Sequence, residues 1–586
     1  MPIDTNATIM LGYYGCKVYN QSTQTYDFKA LGKAVYLSAL TENIDNGDVA
    51  CVLNFDHFGK NKTVLIPHEE LVDYSLLTKL SAKGAQVSKK NFNTFVDSLI
   101  IQEEELEQKG NLPEKVYQNL GWCSIPDSNS DDEEPKFLRH YRGYELMGDL
   151  DGYYIGDFKI KPMGTYEVWH DMTNKAIVGN IPMEVVLLAS LSAIIVGIVN
   201  PSLGFGNPIF HLYGRSSSGK TTAAWAALSC YGEPYTGKKV ALDPYGEQKE
   251  YRSLLRSWNT TSNALLANCA GNHGAVIVLD ELGKYRGKIQ DIGPVIYSLS
   301  DGDDKDRMTK ELKTVASESY DTTFISAGEF SLLEHCSDKS EGLQNRVFEI
   351  NRIFTRSAKE ADYIKAVCSK NNGWAAPMVA QFILDNGGLK YAKSIYRKHQ
   401  KTLLAEFSGT PFVERYVSKF GAVLMATAEI ASIALDIPFS TDEILAFLHE
   451  HEQENGQDRA TSANSYKLIL EYFRINISNF YTDSNPLPKP CWGWYKEVSY
   501  QLPDGRNVAA EFNVRPSVVK KFLKDNGFPS KKICDQQWSD DGVISRDKDR
   551  PTRSRKPYAG AKDSEDMYVF LVFADPDKEA ENNEPA

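Results

Sequence analysis

The sequence has no CxxC pair, no long unbroken apolar run and no excess of positive charge. Its nine cysteines are scattered singly. An odd set of unpaired cysteines suits buried thiols in a reducing cytoplasm and argues against a zinc site. The most apolar stretch, residues 185–199, includes Ser190, Ser192 and Gly197 and falls short of the roughly 20 residues that span a bilayer. With Pro182 marking its start, it reads as a buried helix. Residues 1–10 contain neither a basic region nor an apolar core, so no secretory signal is expected. The expected location is cytoplasmic, with no membrane partner. The net charge of −13 excludes a uniformly basic coat for nucleic acid, but local patches still count. No internal repeat of fixed period is visible.

What is present begins with size. A chain of 586 residues, 42% hydrophobic and 24% charged, is enough for about three to four soluble domains. Its most informative stretch is Gly214-Arg215-Ser216-Ser217-Ser218-Gly219-Lys220-Thr221, which fits GxxxxGK[ST]. Residues 209–213 before it read as a buried strand, and residues 222–228 after it read as a helix. In that setting the loop N–H groups and the helix N-terminus surround phosphate oxygens. Gly214, Ser218, Gly219, Lys220, Thr221 and Thr222 are therefore the expected nucleotide-binding residues. Lys220 would reach the β/γ-phosphates and the Thr221 hydroxyl would bind Mg²⁺, which makes ATP and Mg²⁺ the expected cofactors.

A second element implies hydrolysis. The apolar run 275–279 ends in Asp280-Glu281 and reads as a buried parallel strand delivering two carboxylates at its C-terminal edge. Asp280 would hold the metal as a Walker B aspartate, and Glu281 would polarise the attacking water.

The organisation follows from pattern and composition. Residues 1–110 alternate short strands with turns and end in a helix, an α+β domain. Residues 111–182 form a second β-rich segment, interrupted by an acidic loop at 127–134. An α/β core at 183–355 precedes a helical lid at 356–455, whose clearest helix starts at Thr410-Pro411. A connector at 456–500 includes the aromatic cluster Trp492-Gly493-Trp494-Tyr495, which reads as a small core. Residues 501–574 show a helix, a basic segment and a strand, suggesting a winged-helix-like domain, and 575–586 read as an acidic tail.

Further polar residues stand at informative places. The strand 322–326 ends in Ser326, a position where AAA+ enzymes keep a sensor of the γ-phosphate or the water, and equally a plain strand-end serine. Arg346 lies just before another apolar run, where it could stabilise transition-state charge across a subunit interface or form a surface salt bridge. Arg415, in the lid, is a weaker candidate for a second phosphate contact than for a solvated helix face. About 45 residues separate Asp280 from Ser326, more than a crossover helix requires. The excess carries Lys305, Arg307, Lys310 and Lys313, which could form a basic hairpin. Arg546, Lys548, Arg550, Arg553, Arg555 and Lys556 crowd a short C-terminal loop, where phosphate neutralisation competes with a merely solvated role.

Gly214 to Thr221, Ser257-Trp258-Asn259-Thr260-Thr261-Ser262-Asn263, Leu279-Asp280-Glu281, Ile296-Tyr297-Ser298-Leu299-Ser300-Asp301-Gly302, Ser326-Ala327-Gly328-Glu329 and Arg346 occur in one order. This series resembles the AAA+ ATPase family of phages, plasmids and mobile elements catalogued as a domain of unknown function. Within that family it resembles the MCM-like replication helicases of staphylococcal cassette chromosome elements. The resemblance covers about residues 160–435; it is weak over the first 150 and only architectural at the C-terminus. It implies a hexameric ring, ATP hydrolysed between subunits, and single-stranded or forked DNA as partner, threaded through a pore. In that frame Glu281, Ser326 and Arg346 are the catalytic candidates, Thr221 and Asp280 the metal ligands. Lys310, Lys313, Arg550, Arg553 and Arg555 are the DNA contacts. Two other classes fit the same motifs: an ATP-driven defence or signalling switch, and a nucleotide-gated DNA-binding protein that opens no duplex.

Overall fold

The computed structural model describes residues 7–126, 137–142, 152–302, 307–308, 314–315, 319–336, 341–407, 411–459, 461–486, 488–526, 534–535, 538–539, 541–547, 550–558 and 561–574. The architecture is mixed α/β. At the N-terminus, the antiparallel strands Tyr36–Asn43, Val49–His57 and Lys60–Pro67 form a meander. The helix Phe92–Gln108 lays Phe92, Phe95, Val96 and Leu99 against it, the i, i+3, i+4, i+7 spacing of an amphipathic helix. The strand Glu114–Tyr117 pairs in parallel with Tyr36–Asn43, and so crosses the boundary expected near residue 111. The next strand, Leu120–Pro126, pairs instead with Asn272–His273 of the central region. Trp122 on it is buried, and its Nε1 donates to Ile194 O at 2.7 Å. Residues 114–126 thus tie the N-terminal sheet to the core.

The central sheet has five parallel strands: β1 (Ile209–Leu212), β2 (Leu255–Ser257), β3 (Ile277–Asp280), β4 (Phe324–Ala327) and β5 (Val347–Ile350). Their order is β2-β3-β4-β1-β5. β1 and β4 are buried at every position, as expected of strands covered on both faces. Helix α1 (Ile181–Leu203) packs beside them and is 23 residues long, longer than its apolar run suggests. Among the described residues it is one of two helices long and apolar enough to cross a membrane, yet 89% of its apolar window is buried inside the protein. Gly197 allows its closest approach: a Cβ there would stand 2.4 Å from His273 O. Helix α2 (Lys220–Ser229) follows β1, and helix α3 (Gly293–Asp301) precedes β4.

After β5 come the helices Ala358–Cys368, Ala375–Asp385 and Gly388–Glu406. The expected lid helix runs through Pro411–Tyr416, a π-helical turn at Val417–Gly421, and α4 (Ala422–Leu435). Thr410, its expected cap, lies outside the described residues. Tyr416, Val417, Phe420, Val423 and Leu424 are buried, as their spacing implies. The C-terminal unit reaches back to the helix Thr461–Ile475, where a connector is expected from sequence. Ile469 and Phe473 share a core with Phe480, Phe512, Val519 and Phe570. Its sheet joins Gly493–Gln501, Asn507–Val514 and Glu565–Phe573, and helix α5 (Pro516–Asp525) packs on it through Val519, Phe522 and Leu523.

Candidate nucleotide-binding site

The loop between β1 and α2 is shaped by backbone that few side chains tolerate. Gly214 has φ +135° and Gly219 φ +88°, while Ser217 takes φ 68° between them. A Cβ on Gly219 would stand 2.5 Å from Thr355 Oγ1 and 2.9 Å from the Thr355 backbone nitrogen, so both space and φ require glycine. The chain leaving β5 supports the loop through a bond from Phe354 N to Ser218 O at 2.8 Å. Lys220 Nζ folds over the loop and donates to Gly214 O at 2.9 Å and Arg215 O at 2.8 Å. Thr221 is exposed on the first turn of α2, whereas Thr222 is buried beneath it.

Asp280 ends β3 two strands away, facing the same space. Burial raises its pKa; the Glu281 N–H, bonded to Asp280 Oδ1 at 2.8 Å, and Lys220 hold it down. Glu281 itself sits in the left-handed region, φ 61° and ψ 59°. Such a backbone costs a non-glycine residue about 1–2 kcal/mol and concentrates at functional sites. Its carboxylate accepts from Lys284 Nζ at 2.8 and 2.7 Å.

These groups line one cavity of about 710 Å³ at the C-terminal edge of the sheet. Ser218, Gly219, Lys220, Thr221, Thr222, Asp280 and Glu281 all contribute to it, which brings most of the expected residues together. Gly214 shapes the loop without lining the cavity. The volume falls in the range of ordinary ligand pockets. The Thr221 hydroxyl and Asp280 carboxylate are hard oxygen donors that fit Mg²⁺, an ion that takes few protein ligands and completes its shell with water and phosphate.

Five charged side chains in the cavity have no role assigned from sequence: Lys284, Glu329, Arg356, Asp362 and Lys365. Glu329 is the most telling. Burial lowers the Lys220 pKa, and the carboxylate that most opposes this is Glu329, ahead of Asp280. Glu329 closes the quoted segment Ser326-Ala327-Gly328-Glu329, but only the fold reveals its neighbour. Arg356 and Lys365 come from the segment after β5 and from the helix Ala358–Cys368, so the first helix after β5 faces the cavity.

Ser326, the expected phosphate sensor, stands apart from the cavity. It is fully buried and does not line the cavity; Ala327, Gly328 and Glu329 do. Trp258 Nε1 donates to Ser326 Oγ at 3.1 Å, and Ser326 Oγ lies 3.0 Å from His211 Nδ1. His211 Nε2 lies 3.0 Å from Phe330 O, which can only accept. The proton therefore sits on Nε2, and Nδ1 accepts from Ser326. Burial lowers the His211 pKa, consistent with this neutral ring. The chain Trp258–Ser326–His211–Phe330 fixes the loop that carries Glu329.

The remaining candidates lie elsewhere. Arg346 does not line the cavity; it pairs with Asp301 at 2.8 Å and stacks 4.4 Å over Tyr297. Arg415 is exposed and also outside the cavity. Beyond α3, Arg307 and Met308 pair antiparallel with Val315 and Thr314, a short hairpin. Lys310 and Lys313, in its connecting segment, lie outside the described residues, as do Lys305 and Lys548. In the C-terminal unit, Arg553–Arg555 is a strand paired with Glu565–Phe573 rather than part of a loop. Arg550 pairs with Asp566 at 3.1 Å and Arg553 with Asp547 at 3.5 Å. Arg555 makes no ion pair among the described residues. Lys520, Lys521 and Lys524, also passed over in the sequence, are exposed on the outer face of α5.

Comparison with known proteins adds two family matches. The model of a domain of unknown function (DUF927) matches residues 11–316, and that of a Cch helix turn helix domain matches residues 461–575. No curated protein matches the sequence. A solved structure described as an SCCmec type IV Cch active helicase superposes with a TM-score of 0.74 at 19% identity, covering 97% of each chain. An apo structure of the NrS-1 C-terminal region matches at TM-score 0.21 and 10% identity, covering 80% of this chain and 95% of its own, too weak to support an argument.

Proposed function

We propose that this chain, which belongs to the DUF927 family, is an ATP-driven DNA helicase of a mobile genetic element. One observation carries the reading: a glycine loop, Lys220, Thr221 and Asp280 converge in a single cavity at the C-terminal edge of a parallel sheet. The strand order, with β4 inserted between the strands bearing the glycine loop and Asp280, supports an AAA+ core with a helical lid. The shared fold with a structure described as an active helicase supports coupling to DNA, as does the helix-turn-helix match.

On this reading the loop N–H groups and Lys220 bind the triphosphate, and Thr221 and Asp280 hold Mg²⁺. The metal would neutralise charge developing on the phosphate oxygens. Glu281 orients the attacking water and accepts its proton, which requires it to leave Lys284. Glu329 stands by Lys220 as a second carboxylate. Arg346, outside its own chain's cavity, acts in a neighbouring subunit's site within a ring, which we take to be a hexamer. The hairpin beyond α3 reaches the translocated strand, and the C-terminal unit contacts duplex through α5 and the strand Arg553–Arg555, as in a winged helix.

ATPase assays with and without single-stranded DNA test this. Stimulation is the expected result. An ATPase indifferent to DNA would instead favour a switch that responds to a protein partner.

A further inference from the structure

The π-helical turn at Val417–Gly421 carries a lysine into the interior. Lys419 is buried, and its Nζ donates to Ser300 Oγ at 2.5 Å. The same hydroxyl donates onward to Asn207 O at 3.1 Å. Next in sequence is Asp301, the last residue of α3, whose Oδ1 accepts from Arg346 Nη2 at 2.8 Å and Nε at 3.3 Å. Arg346 Nη1 also donates to Gly342 O at 2.8 Å. One turn of helix therefore meets the lid through Ser300 and holds the arginine through Asp301. The next described residues after Gly302, Arg307 and Met308, belong to the inserted hairpin.

Burying an ammonium group is costly, and an apolar side chain of similar length would fill the space at lower cost. Burial pulls the Lys419 pKa down to about 7; nearby Arg346 adds to the fall and Asp301 opposes it. Stability alone gives no reason for a lysine here.

We infer that Lys419 is a positioning residue for Arg346: through Ser300 it fixes the end of α3 on which Asp301 holds the guanidinium. The lid of one subunit is thereby coupled to the arginine it presents to the next. The inference rests on the proposed action of Arg346 in a neighbouring site. It adds the element that sets the arginine's position and identifies α3 as the junction of lid, arginine and hairpin.

Subunit mixing tests it. Lys419→Met removes the charge at similar length, and Ser300→Ala cuts the link alone. Each variant is assayed for ATPase by itself, mixed with Lys220→Ala subunits, and combined with Arg346→Ala. Binding of a fluorescent ATP analogue and thermal unfolding are followed alongside. Both variants are expected to bind nucleotide normally and to lose about tenfold or more in ATPase. Mixing with Lys220→Ala should restore activity, because that subunit presents an intact arginine to an intact pocket. The loss should not add to that of Arg346→Ala, as expected for residues acting as one unit.

Full ATPase in the folded variants, or a loss that mixing does not rescue while Arg346→Ala is rescued, would overturn the inference alone. If Arg346→Ala itself cannot be rescued, the trans reading fails, and this inference with it. Should Lys419→Met fail to fold, Ser300→Ala decides.

Discussion

Glu281 and Lys284 form a closed pair: both carboxylate oxygens of Glu281 lie within 2.8 Å of the lysine Nζ. The pair is half exposed, so solvent screens it and little stability is at stake when it opens. The proposed water-activating group is thus held aside by a bond that a bound triphosphate could break.

Replacing Lys284 by alanine is expected to free Glu281 without harming nucleotide binding. Steady-state ATPase should stay within a few-fold of wild type or rise. Glu281→Gln, by contrast, should bind nucleotide normally and lose about 10²–10⁴-fold in turnover, the usual worth of a positioned general base. Near-normal turnover by Glu281→Gln would remove it from the chemistry.

Glu329 adds negative charge beside Lys220, in a cavity proposed to receive a triphosphate. Glu329→Gln should therefore bind ATP more tightly, by about 1 kcal/mol for a partly screened charge pair. Its turnover should fall if the carboxylate also helps order the water. Titration with a fluorescent ATP analogue checks the first point; weaker binding would contradict it.

Ser326→Ala should cost stability rather than catalysis, because it leaves the Trp258 N–H and His211 Nδ1 unpaired. The expected loss is about 1–3 kcal/mol, read as a lower Tm, with ATP affinity unchanged. His211 and His399 are both held below the ordinary histidine pKa, chiefly by burial. The unfolded chain thus takes up protons that the folded chain refuses. Their contribution is complete above about pH 6.5 and is lost as the pH falls through their folded values. Tm should drop between pH 7 and pH 5 for this reason.

On the DNA side, the ion pairs of Arg550 and Arg553 discount both residues. Arg555→Ala should lower the log–log salt slope of duplex binding by about 0.9, one phosphate contact. Arg550→Ala should lower it less. Changing Lys520, Lys521 and Lys524 together should cost most. The double change Lys310→Ala/Lys313→Ala should spare basal ATPase but abolish DNA stimulation and unwinding. An unchanged salt slope in all C-terminal variants would remove that unit from DNA binding.

Much of the site was legible because its chemistry is local. A glycine loop between a buried strand and a helix, and two carboxylates closing an apolar run, are contiguous patterns with a physical reason. What escaped depends on through-space partners. Ser326 stands near the end of β4, yet a tryptophan just past β2 and a histidine of β1 take its hydroxyl inward. Glu329 gains its meaning only from Lys220, more than a hundred residues earlier. The residues 114–126 read as a separate β-rich segment because strand pairing between distant segments leaves no trace in local composition. The helix Thr461–Ile475 was missed as part of the C-terminal core because its partners, Phe512 and Phe570, lie far along the chain.

The account's central claim is that ATP turnover in this cavity separates DNA strands. Its most direct test is displacement of a labelled strand from a forked duplex, with wild type and Glu281→Gln run in parallel. Wild type should release the strand only with ATP and Mg²⁺, while Glu281→Gln should bind the fork and release nothing. Hydrolysis by wild type without strand release, or release by Glu281→Gln at the wild-type rate, would contradict it.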